Sequence, residues 1–342
     1  MIAIWSSVAI LLTAATAVWW AGTHLPRYVI ALSERTGLGQ GFAGMLVLGG
    51  ITSLPELGTA TTAAALGAPL LAFNNILGSA SFNILLLAVA DMVLGKRPLT
   101  SVVAKPVTLI QGVLGMMLLA FVIAAILFGD TLLFGTVGIG ATAIFCAGLV
   151  AIRIADRSER RPMWLVIDPP ELGDDAGSPP DEIGSRRLTI MLCLLAAIIL
   201  IAGAALAISA NDIATRSGLG TGLVGVLFVA AATSLPELSA ITGAMRQHRY
   251  ELAVGEIFGS NLFNLAIIFA IDLFAPGPPV IQLAGTFEAL AAVLALAMTG
   301  AFVIGLIERR DKTVMRMGQD SITAAAVYAV GMAALTGLGI AS

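Results

Sequence analysis

Long apolar stretches follow one another along this chain, and two of them carry a glutamate near the middle, Glu56 and Glu237. About 20 apolar residues of helix cross the hydrocarbon core of a bilayer. Hydrophobic residues make up 58% of the 342 positions and charged residues only 11%. A chain of this composition folds with lipid as its main solvent. The sequence therefore predicts an all-α polytopic membrane protein.

Ten stretches have the length of a transmembrane helix. They run over residues 2–22, 39–65, 68–94, 103–128, 131–152, 186–209, 219–245, 251–275, 279–307 and 321–341. Positive charge is retained on the cytoplasmic side of short membrane loops. If the N-terminus lies outside, 17 of the 18 Lys and Arg residues fall in inward loops, and only Arg216 does not. We therefore expect an integral, multi-pass protein with both termini outside.

An internal repeat divides the chain. Residues 37–91 align with 218–272 at a constant offset of 181, and 22 of the 55 aligned positions are identical. Each copy lies in a half with five spans, and because five is odd, the second half enters the membrane from the opposite face. The sequence predicts two inverted five-helix repeats, 1–152 and 186–342, joined by an acidic, Pro-containing cytoplasmic linker at 153–185.

Each repeat contains the pentapeptide Thr-Ser-Leu-Pro-Glu, which ends at Glu56 and at Glu237. An ionised carboxylate at the bilayer centre is costly unless it is paired, so each glutamate marks a functional site. The Thr and Ser hydroxyls precede each Glu by four and three positions and share its helix face. Inverted repeats bring such segments together near the membrane midplane. We expect the two glutamates to face each other in one cation site.

The prolines of the pentapeptides should interrupt their helices. Pro55 and Pro236 have no N–H and clash with the carbonyl four residues earlier, so the backbone oxygens of Ile51 and Ala232 leave the helix ladder. A proline that only marks a kink is the commoner case. Beside a mid-membrane glutamate, we interpret the freed carbonyls as further cation ligands.

The helix that follows each pentapeptide presents a second polar stripe. Residues four apart share a helix face, and the two stripes consist of Asn75, Ser79 and Asn83, and of Glu256, Ser260 and Asn264. Together with the pentapeptides they form an oxygen-only ligand set without His or Cys. Such a set suits hard cations such as Ca²⁺, Na⁺ or H⁺ and suits zinc or copper poorly.

With these motifs the chain resembles the cation/calcium exchanger superfamily, and in particular its prokaryotic sodium/calcium exchanger membrane proteins. The family carries Thr-Ser-x-Pro-Glu and then Gly-Asn-x-x-Gly-Ser-Asn-x-x-Asn/Asp in each of two inverted repeats. The resemblance implies ten helices, a prokaryotic inner membrane, and Glu56 and Glu237 as the central calcium ligands. It also implies that further hydroxyl and amide side chains complete the cation sites, namely Thr52, Ser53, Ser79, Asn83, Thr233, Ser234, Ser260 and Asn264.

The chain departs from the family pattern at positions that bear on ion choice. Asn264 stands where many sodium/calcium exchangers have Asp, and Glu256 stands where the family has Asn. One interpretation is that Glu256 supplies the displaced charge or carries a proton. The other is that it is a protonated packing residue, because a buried carboxyl without a partner is driven toward neutrality. Glu288 has no matching partner and stays unassigned.

Charge balance suggests antiport. Two opposed glutamates are neutralised by one divalent cation or by several monovalent ions, while an empty site leaves bare charge in a low-dielectric interior. We therefore expect a secondary antiporter that exchanges calcium for sodium by alternating access. The alternatives are a proton/calcium or other divalent cation antiporter and, less favoured, a cation channel.

The remaining expectations concern partners and peripheral residues. We expect no enzyme activity and no cofactor, with inorganic cations and membrane lipid as partners and no nucleic acid. Stoichiometry and oligomeric state are not encoded in any motif that we find. Asp91, Asp130 and Asp272 lie near predicted helix ends, and we expect them to reach the membrane interface.

Overall fold

The structure is a computed structural model that describes residues 2–94, 97–103, 105–160, 184–216, 230–309, 313–314 and 317–341. Eight of the described helices are long and apolar enough to cross a membrane, and a ninth candidate is the bent pair Gln40–Thr52 and Leu54–Ala65. The chain is thus mostly helical and integral to the membrane. The count of ten spans stays a prediction, because residues 217–229 of the span at 219–245 lie outside the described residues, as do residues 161–183 of the linker.

The elements are numbered in chain order. The helices are α1 (Ile2–Thr36), α2 (Gln40–Ala43), α3 (Gly49–Thr52), α4 (Leu54–Ala65), α5 (Pro69–Leu94), α6 (Leu99–Val102), α7 (Pro106–Phe128), α8 (Ile139–Arg160), α9 (Ser185–Arg216), α10 (Ala230–Thr233), α11 (Leu235–Arg246), α12 (Tyr250–Phe274), α13 (Val280–Leu283), α14 (Thr286–Glu308) and α15 (Gln319–Ala341). A π-helical turn, Gly44–Leu48, joins α2 to α3. Two antiparallel hairpins pair β1 (Leu132–Phe134) with β2 (Val137–Gly138) and β3 (Thr313–Val314) with β4 (Met317–Gly318).

The boundaries of α1 and α8 correct the sequence prediction. Helix α1 does not end near residue 22 but continues through Pro26 to Thr36. Burial of Leu25 before the proline and of Val29 and Ile30 after it outweighs the hydrogen bond that the proline removes. Helix α8 ends at Arg160, so the first described residues of the linker at 153–185 are helical.

The segment predicted as a helix at 131–152 begins instead with the first hairpin, and α8 starts only at Ile139. Gly135 makes the turn with a φ of 56°, a left-handed conformation that glycine adopts without strain. Asp130 accepts hydrogen bonds at Oδ1 from the backbone N–H of Thr131 and of Gly140, both at 2.8 Å. The carboxylate thereby satisfies an N–H at the start of α8 that has no partner within the helix.

Helices α5 and α12 form the centre of the molecule and run in opposite directions. In the apolar window of each, 72% and 67% of the residues are buried, against 22% for α15 at the periphery. The Asn74 side chain near the start of α5 donates to Glu288 of α14, which follows the end of α12. At the other face, Lys105, which follows the end of α5, contacts Glu251 at the start of α12 at 3.0 Å. Inverted halves require this antiparallel arrangement.

Glycines let the broken helix of the first half lie directly on α12. A Cβ atom added at Gly49 would meet the backbone N of Ser260 at 2.8 Å and the carbonyl O of Glu256 at 2.9 Å. A Cβ atom at Gly44 would collide with the carbonyl O of Leu252. Only glycine permits this approach, and it brings Thr52 at the end of α3 against Glu256 and Ser260.

Two aspartates that we expected at the interface are buried and hold the halves together. Asp91 at the end of α5 accepts from the backbone N–H of Leu99 at 2.6 Å and of Gly318 at 2.7 Å. Asp272, its equivalent at an offset of 181, accepts from Val280 at 2.7 Å and from Gly138 at 3.0 Å. Their exposed fractions are 1% and 0%. We call these contacts the crossed staples, because each aspartate binds the hairpin of the other half.

Asp130 is also buried, with 5% of its surface exposed. All three aspartates are therefore buried within the protein, and their position at the membrane interface stays a prediction. A carboxylate with two backbone donors is stable away from water because each bond to the charged group replaces one to solvent.

Basic residues gather at the face where α5 ends. Lys105 lies 3.0 Å from Glu251 and 3.5 Å from Glu159, and Arg249 lies 3.6 Å from Glu34. Burial lowers the pKa of Lys105, but Glu251 and Glu159 outweigh it and raise the pKa above its usual value. We call this side of the molecule the basic face.

Candidate cation site at the helix breaks

The two pentapeptides break their helices in the same way. Helix α3 ends at Thr52 and α4 begins at Leu54, and the segments Gln40–Thr52 and Leu54–Ala65 meet there at an angle of 42°. Ser53 at this break has φ −82° and ψ 0°, and Ser234, its equivalent, has φ −81° and ψ 7°. The proline then occupies the first turn of the new helix, where its missing N–H costs nothing. The interruption predicted at both pentapeptides is therefore confirmed.

Glu56 and Glu237 lie in the first turns of α4 and α11 and have no exposed surface. They are near enough for their carboxylates to repel each other. Thr233 lies beside Glu56, and Thr52 lies beside Glu237, so each glutamate faces the pentapeptide of the other half. All four carboxylate oxygens nevertheless lack a hydrogen bond of normal geometry.

On one side of this pair lies the Glu256 cluster, which consists of the Gly49 carbonyl oxygen, Thr52, Glu256 and Ser260. Thr52 Oγ1 donates to Glu256 Oε1 at 2.9 Å and lies 3.1 Å from Ser260 Oγ. Ser260 Oγ is 3.4 Å from Glu256 Oε1 and 3.4 Å from the Gly49 oxygen. The other carboxylate oxygen of Glu256, Oε2, has no partner. Four oxygen-bearing groups, a carbonyl, two hydroxyls and a carboxylate, thus converge from both halves of the chain.

On the other side lies the Asn75 cluster, which consists of Asn75, Ser79 and Thr233. The Thr233 hydroxyl is 3.4 Å from Ser79 Oγ and 3.5 Å from Asn75 Oδ1. Each member is the equivalent, at an offset of 181, of a member of the Glu256 cluster. The two clusters therefore differ in one respect that matters for charge: Asn75 is neutral where Glu256 is acidic.

Asn83 and Asn264 lie farther along the same stripes. Asn83 Nδ2 donates to Asn261 Oδ1 at 3.0 Å, and Asn261 Nδ2 donates to the Ala80 carbonyl at 3.1 Å. Neither polar atom of the Asn264 side chain has a partner. The Asn264 side chain is thus buried with two polar atoms that make no hydrogen bond.

Sequence reasoning missed two members of this region. It proposed the carbonyl of Ile51 as a freed ligand, whereas the carbonyl that contacts the cluster belongs to Gly49. It also passed over Asn261, which connects α5 to α12. The sequence did contain a signal for Asn261, because this polar residue of the second repeat aligns with the apolar Ala80 of the first repeat.

The centre has a concentration of buried polar atoms without partners. They are Ser53 Oγ, both carboxylate oxygens of Glu56 and of Glu237, Asn75 Nδ2, Asn83 Oδ1, Ser234 Oγ, Glu256 Oε2 and both polar atoms of Asn264. Buried polar groups normally have partners, and an unpartnered cluster indicates an unaccounted ion or water. Among the described residues, no three His, Cys, Asp or Glu side chains can hold one metal by themselves. A cation here would therefore take hydroxyl, amide and carbonyl oxygens as well.

A cavity of about 240 Å³ reaches this centre from one side. It lies between α4, α5 and α9, with Thr59, Thr62 and Ala204 in its walls and Asn75 at its inner end. It opens beside the exposed Leu66, away from the basic face.

The equivalent space on the other side is filled by α1. Gly22 packs directly on Ser239, and Gly243 packs on the carbonyl group of Thr23. The Ser239 hydroxyl lies 3.4 Å from the Val18 oxygen. Thr62, the equivalent of Gly243, faces the open cavity instead.

Comparisons with known proteins agree with this architecture. The sequence profile described as sodium/calcium exchanger protein matches residues 6–154 and 187–337. The putative antiporter CaxA of Alkalimonas amylolytica is 27% identical over 288 residues, which cover 82% of this chain and 85% of that protein. Inner membrane protein YrbG of Escherichia coli K12 is 29% identical over 238 residues, which cover 68% and 69%.

Among solved structures, the sodium-calcium exchanger NCX_Mj soaked with 10 mM Na⁺ and zero Ca²⁺ superposes with a TM-score of 0.70. The match covers 97% of this chain and 99% of that one at 16% identity. A second structure of the same exchanger, soaked with 2.5 mM Na⁺ and 0.1 mM Sr²⁺, gives a TM-score of 0.69 at 18% identity. At these identities the likeness establishes a shared fold.

Proposed function

Because the chain belongs to the sodium/calcium exchanger protein family, a family of cation antiporters rather than enzymes, we propose that it exchanges calcium for sodium by alternating access. In this proposal both ions use the same oxygens between the two helix breaks, and Glu56 and Glu237 are the central ligands. The single observation that carries the proposal is the central pair: two fully buried carboxylates from opposite halves, with four unpartnered oxygens.

Charge explains why such a site exchanges ions. Two carboxylates in a low-dielectric interior are stable only with compensating positive charge. One Ca²⁺ supplies it, and so do two or more Na⁺ ions on the surrounding hydroxyl and amide oxygens. Because an empty site leaves the charges bare, the protein changes face only when loaded. Each ion must therefore displace the other before the next half-cycle.

The difference between the two sides of the centre supports alternating access. The Asn75 cluster communicates with a cavity, while the space beside the Glu256 cluster is closed by α1. If the basic face is cytoplasmic, as the distribution of Lys and Arg predicts, the open side faces outward. A channel would need a path on both sides at once, and the described residues on the closed side are in contact.

The registers of α1 and α9 suggest the movement. Gly22 of α1 packs on Ser239 and on the Pro236 carbonyl, whereas its equivalent in α9, Gly203, packs on the ring of Pro55. The equivalent of Ser239 is Gly58, three residues beyond Pro55, so the two helices are shifted against their partners by less than one helical turn. Exchange of these two registers would close the present cavity and open the other side.

Proton/calcium exchange is the second candidate, and one observation favours it. Asn264 stays neutral, so the site has no fourth carboxylate to bind an additional Na⁺, while Glu256 offers a carboxylate that a proton can neutralise. The two candidates use the same central glutamates and differ in the coupling ion.

Uptake of ⁴⁵Ca²⁺ into proteoliposomes tests the proposal. Purified protein is reconstituted, and uptake is driven by an outward sodium gradient or, separately, by a pH gradient without sodium. We expect uptake with the sodium gradient and little with the pH gradient. Uptake with the pH gradient alone would select the proton antiporter.

Uptake that needs no counter-ion gradient and follows the membrane potential would identify a channel. Protein-free liposomes and Glu56→Gln proteoliposomes provide the baseline. Absence of calcium flux under every gradient would overturn calcium transport itself.

A further inference from the structure

Asn261 of α12 and Asn83 of α5 join the two halves through a chain of two hydrogen bonds. The Asn261 NH2 group donates to the backbone oxygen of Ala80 at 3.1 Å, and the Asn83 NH2 group donates to Asn261 Oδ1 at 3.0 Å. Both side chains are buried, with exposed fractions of 3% for Asn261 and 0% for Asn83. The remaining polar atom of Asn83, Oδ1, has no partner. The chain thus ends in a buried oxygen that accepts no hydrogen bond.

The chemistry of the first acceptor fixes the orientation of both amides. A backbone carbonyl oxygen accepts hydrogen bonds and cannot donate them, so the end of Asn261 that faces Ala80 must be its NH2 group. Its other end is then the oxygen, and the end of Asn83 that faces this oxygen must also be an NH2 group. The orientation of an Asn amide is assigned from its hydrogen bonds. At Asn83 a carbonyl of its own helix sets that orientation, through Asn261.

The second half lacks this arrangement. Asn264 is the equivalent of Asn83 at an offset of 181, but the equivalent of Asn261 is Ala80, whose methyl group cannot bind an amide. Neither polar atom of the Asn264 side chain has a partner. Hydrogen bonds therefore select one orientation of the Asn83 amide and neither orientation of the Asn264 amide.

The orientation of an amide matters to a cation because the two ends of the amide act in opposite ways. The oxygen can coordinate a hard cation, whereas the NH2 group is a donor and repels it. Asn83 lies one helical turn beyond Ser79, whose hydroxyl contacts Thr233. It therefore shares a face of α5 with the proposed ligands. An amide that offers its NH2 group must turn before an ion binds, and the apparent affinity falls by the fraction of molecules in the competent orientation.

We propose that Asn261 is a positioning residue, which keeps Oδ1 of Asn83 instead of its NH2 group available to the cations that the protein exchanges. The inference rests on the proposed function and assigns a role to a residue that is not among the proposed ligands. A buried Asn between membrane helices ordinarily holds the helices together. That role requires hydrogen bonds but no particular orientation of Asn83, so the two roles predict different results when Asn261 is replaced.

Calcium–calcium exchange in proteoliposomes tests the proposal without a driving gradient. Entry of ⁴⁵Ca²⁺ against unlabelled internal Ca²⁺ is titrated with external Ca²⁺, which gives an apparent affinity and a maximal rate. In Asn261→Ala the Asn83 amide is free to turn, and we expect the apparent affinity to fall about tenfold while the maximal rate changes less than about twofold. Size-exclusion chromatography and Tm check the fold. Asn261→Leu, which keeps the side-chain volume, takes its place if Asn261→Ala does not fold.

A double-mutant cycle shows whether Asn261 acts through Asn83. In an Asn83→Ala background there is no amide to orient, so Asn261→Ala should not lower the apparent affinity any further. Ser81→Ala is the matched control, because the Ser81 hydroxyl is buried in the same helix and donates to the Gly78 oxygen at 2.9 Å instead of to an amide. This variant loses one buried hydrogen bond and should keep the wild-type affinity.

Asn261→Asp provides a rescue by similar chemistry. A buried carboxyl is driven toward neutrality, and in the neutral form its O–H donates to the Ala80 carbonyl while its other oxygen accepts from Asn83. The ionised form also accepts from Asn83. We therefore expect Asn261→Asp to have an apparent calcium affinity no lower than that of the wild type.

The outcomes separate this inference from the proposed function. An unchanged apparent affinity in Asn261→Ala, or an equal loss in Ser81→Ala, would overturn the positioning role and leave calcium exchange intact. Additive losses in the double variant would show that Asn261 acts by packing, which would also overturn it. A loss in Asn261→Asp as large as that in Asn261→Ala would contradict orientation by an acceptor. Absence of calcium exchange by the wild type would instead refute the proposed function.

Discussion

The Glu256 cluster and the Asn75 cluster are built from equivalent residues, yet they differ in charge and in surroundings. The first contains a carboxylate and lies behind the closed contact between α1 and α11. The second is neutral and opens into the cavity between α4, α5 and α9. Duplication thus accounts for the placement of the oxygens, and the two clusters differ by one carboxyl group, that of Glu256.

Substitution of the central glutamates should have the largest effect on calcium exchange, and the effect should be similar for both residues. Glu56→Gln and Glu237→Gln each remove one of the two charges that calcium balances, so we expect ⁴⁵Ca²⁺ exchange to fall at least about 100-fold in both. Circular dichroism and size-exclusion chromatography check that each variant folds. Near-normal transport by either variant would show that the two halves do not share one site.

The contrast between closed and open sides predicts a difference in stability. Gly243→Ala places a methyl group against the Thr23 carbonyl group, and overpacking of this kind costs about 2 kcal/mol. Thr62→Ala, at the equivalent position, removes atoms from a cavity wall and should cost less than about 0.5 kcal/mol. Thermal unfolding in detergent measures both. Equal losses of stability would mean that the two sides are packed alike.

The two threonines of the pentapeptides should differ in the affinity for calcium. Thr52→Ala removes a hydroxyl that donates to the Glu256 carboxylate, and we expect the apparent affinity to fall about tenfold. Thr233→Ala removes a hydroxyl with longer contacts to neutral partners, and we expect about a threefold change. Calcium titration of ⁴⁵Ca²⁺ exchange gives both values. A larger effect for Thr233 would reverse the proposed asymmetry.

The crossed staples should have the smallest effect on transport and similar effects on stability. Each aspartate accepts one backbone hydrogen bond on each carboxylate oxygen, so Asp91→Asn and Asp272→Asn keep one of the two bonds and leave a buried N–H without an acceptor, which costs about 1–3 kcal/mol. We expect similar decreases in Tm for both variants and unchanged ion preference. A change in ion preference would mean that the staples also position the central ligands.

Much of the centre follows from local patterns in the sequence. The pentapeptides predict the breaks at Ser53 and Ser234, because a proline with a preceding polar pair interrupts a helix in any surroundings. The spacing of four between Ser79 and Asn83, and between Ser260 and Asn264, predicts a polar stripe on one face of each helix, and Ser79 and Ser260 contact threonines of the opposite pentapeptides. These features depend only on covalent geometry and helical period.

What the patterns do not reveal depends on tertiary contact. The Gly49 carbonyl reaches the cluster because glycine lets α3 touch α12, which no period in the sequence encodes. Asp91 and Asp272 resembled interfacial residues because they lie near helix ends. One backbone partner of each lies eight residues later in the chain and the other lies in the opposite half, so no local pattern indicates these hydrogen bonds. The first hairpin was missed because residues 131–138 are as apolar as the helix that follows them.

The crossed staples also bear on the order in which the molecule can be assembled during synthesis. Asp91 is made early, but one of its two donors, Gly318, leaves the ribosome more than 200 residues later. Until then a carboxylate that ends up buried has only half of its partners. The first half therefore stays an incompletely folded intermediate in the bilayer until the second half is synthesised. Halves that are expressed separately should reach the native fold only when they associate.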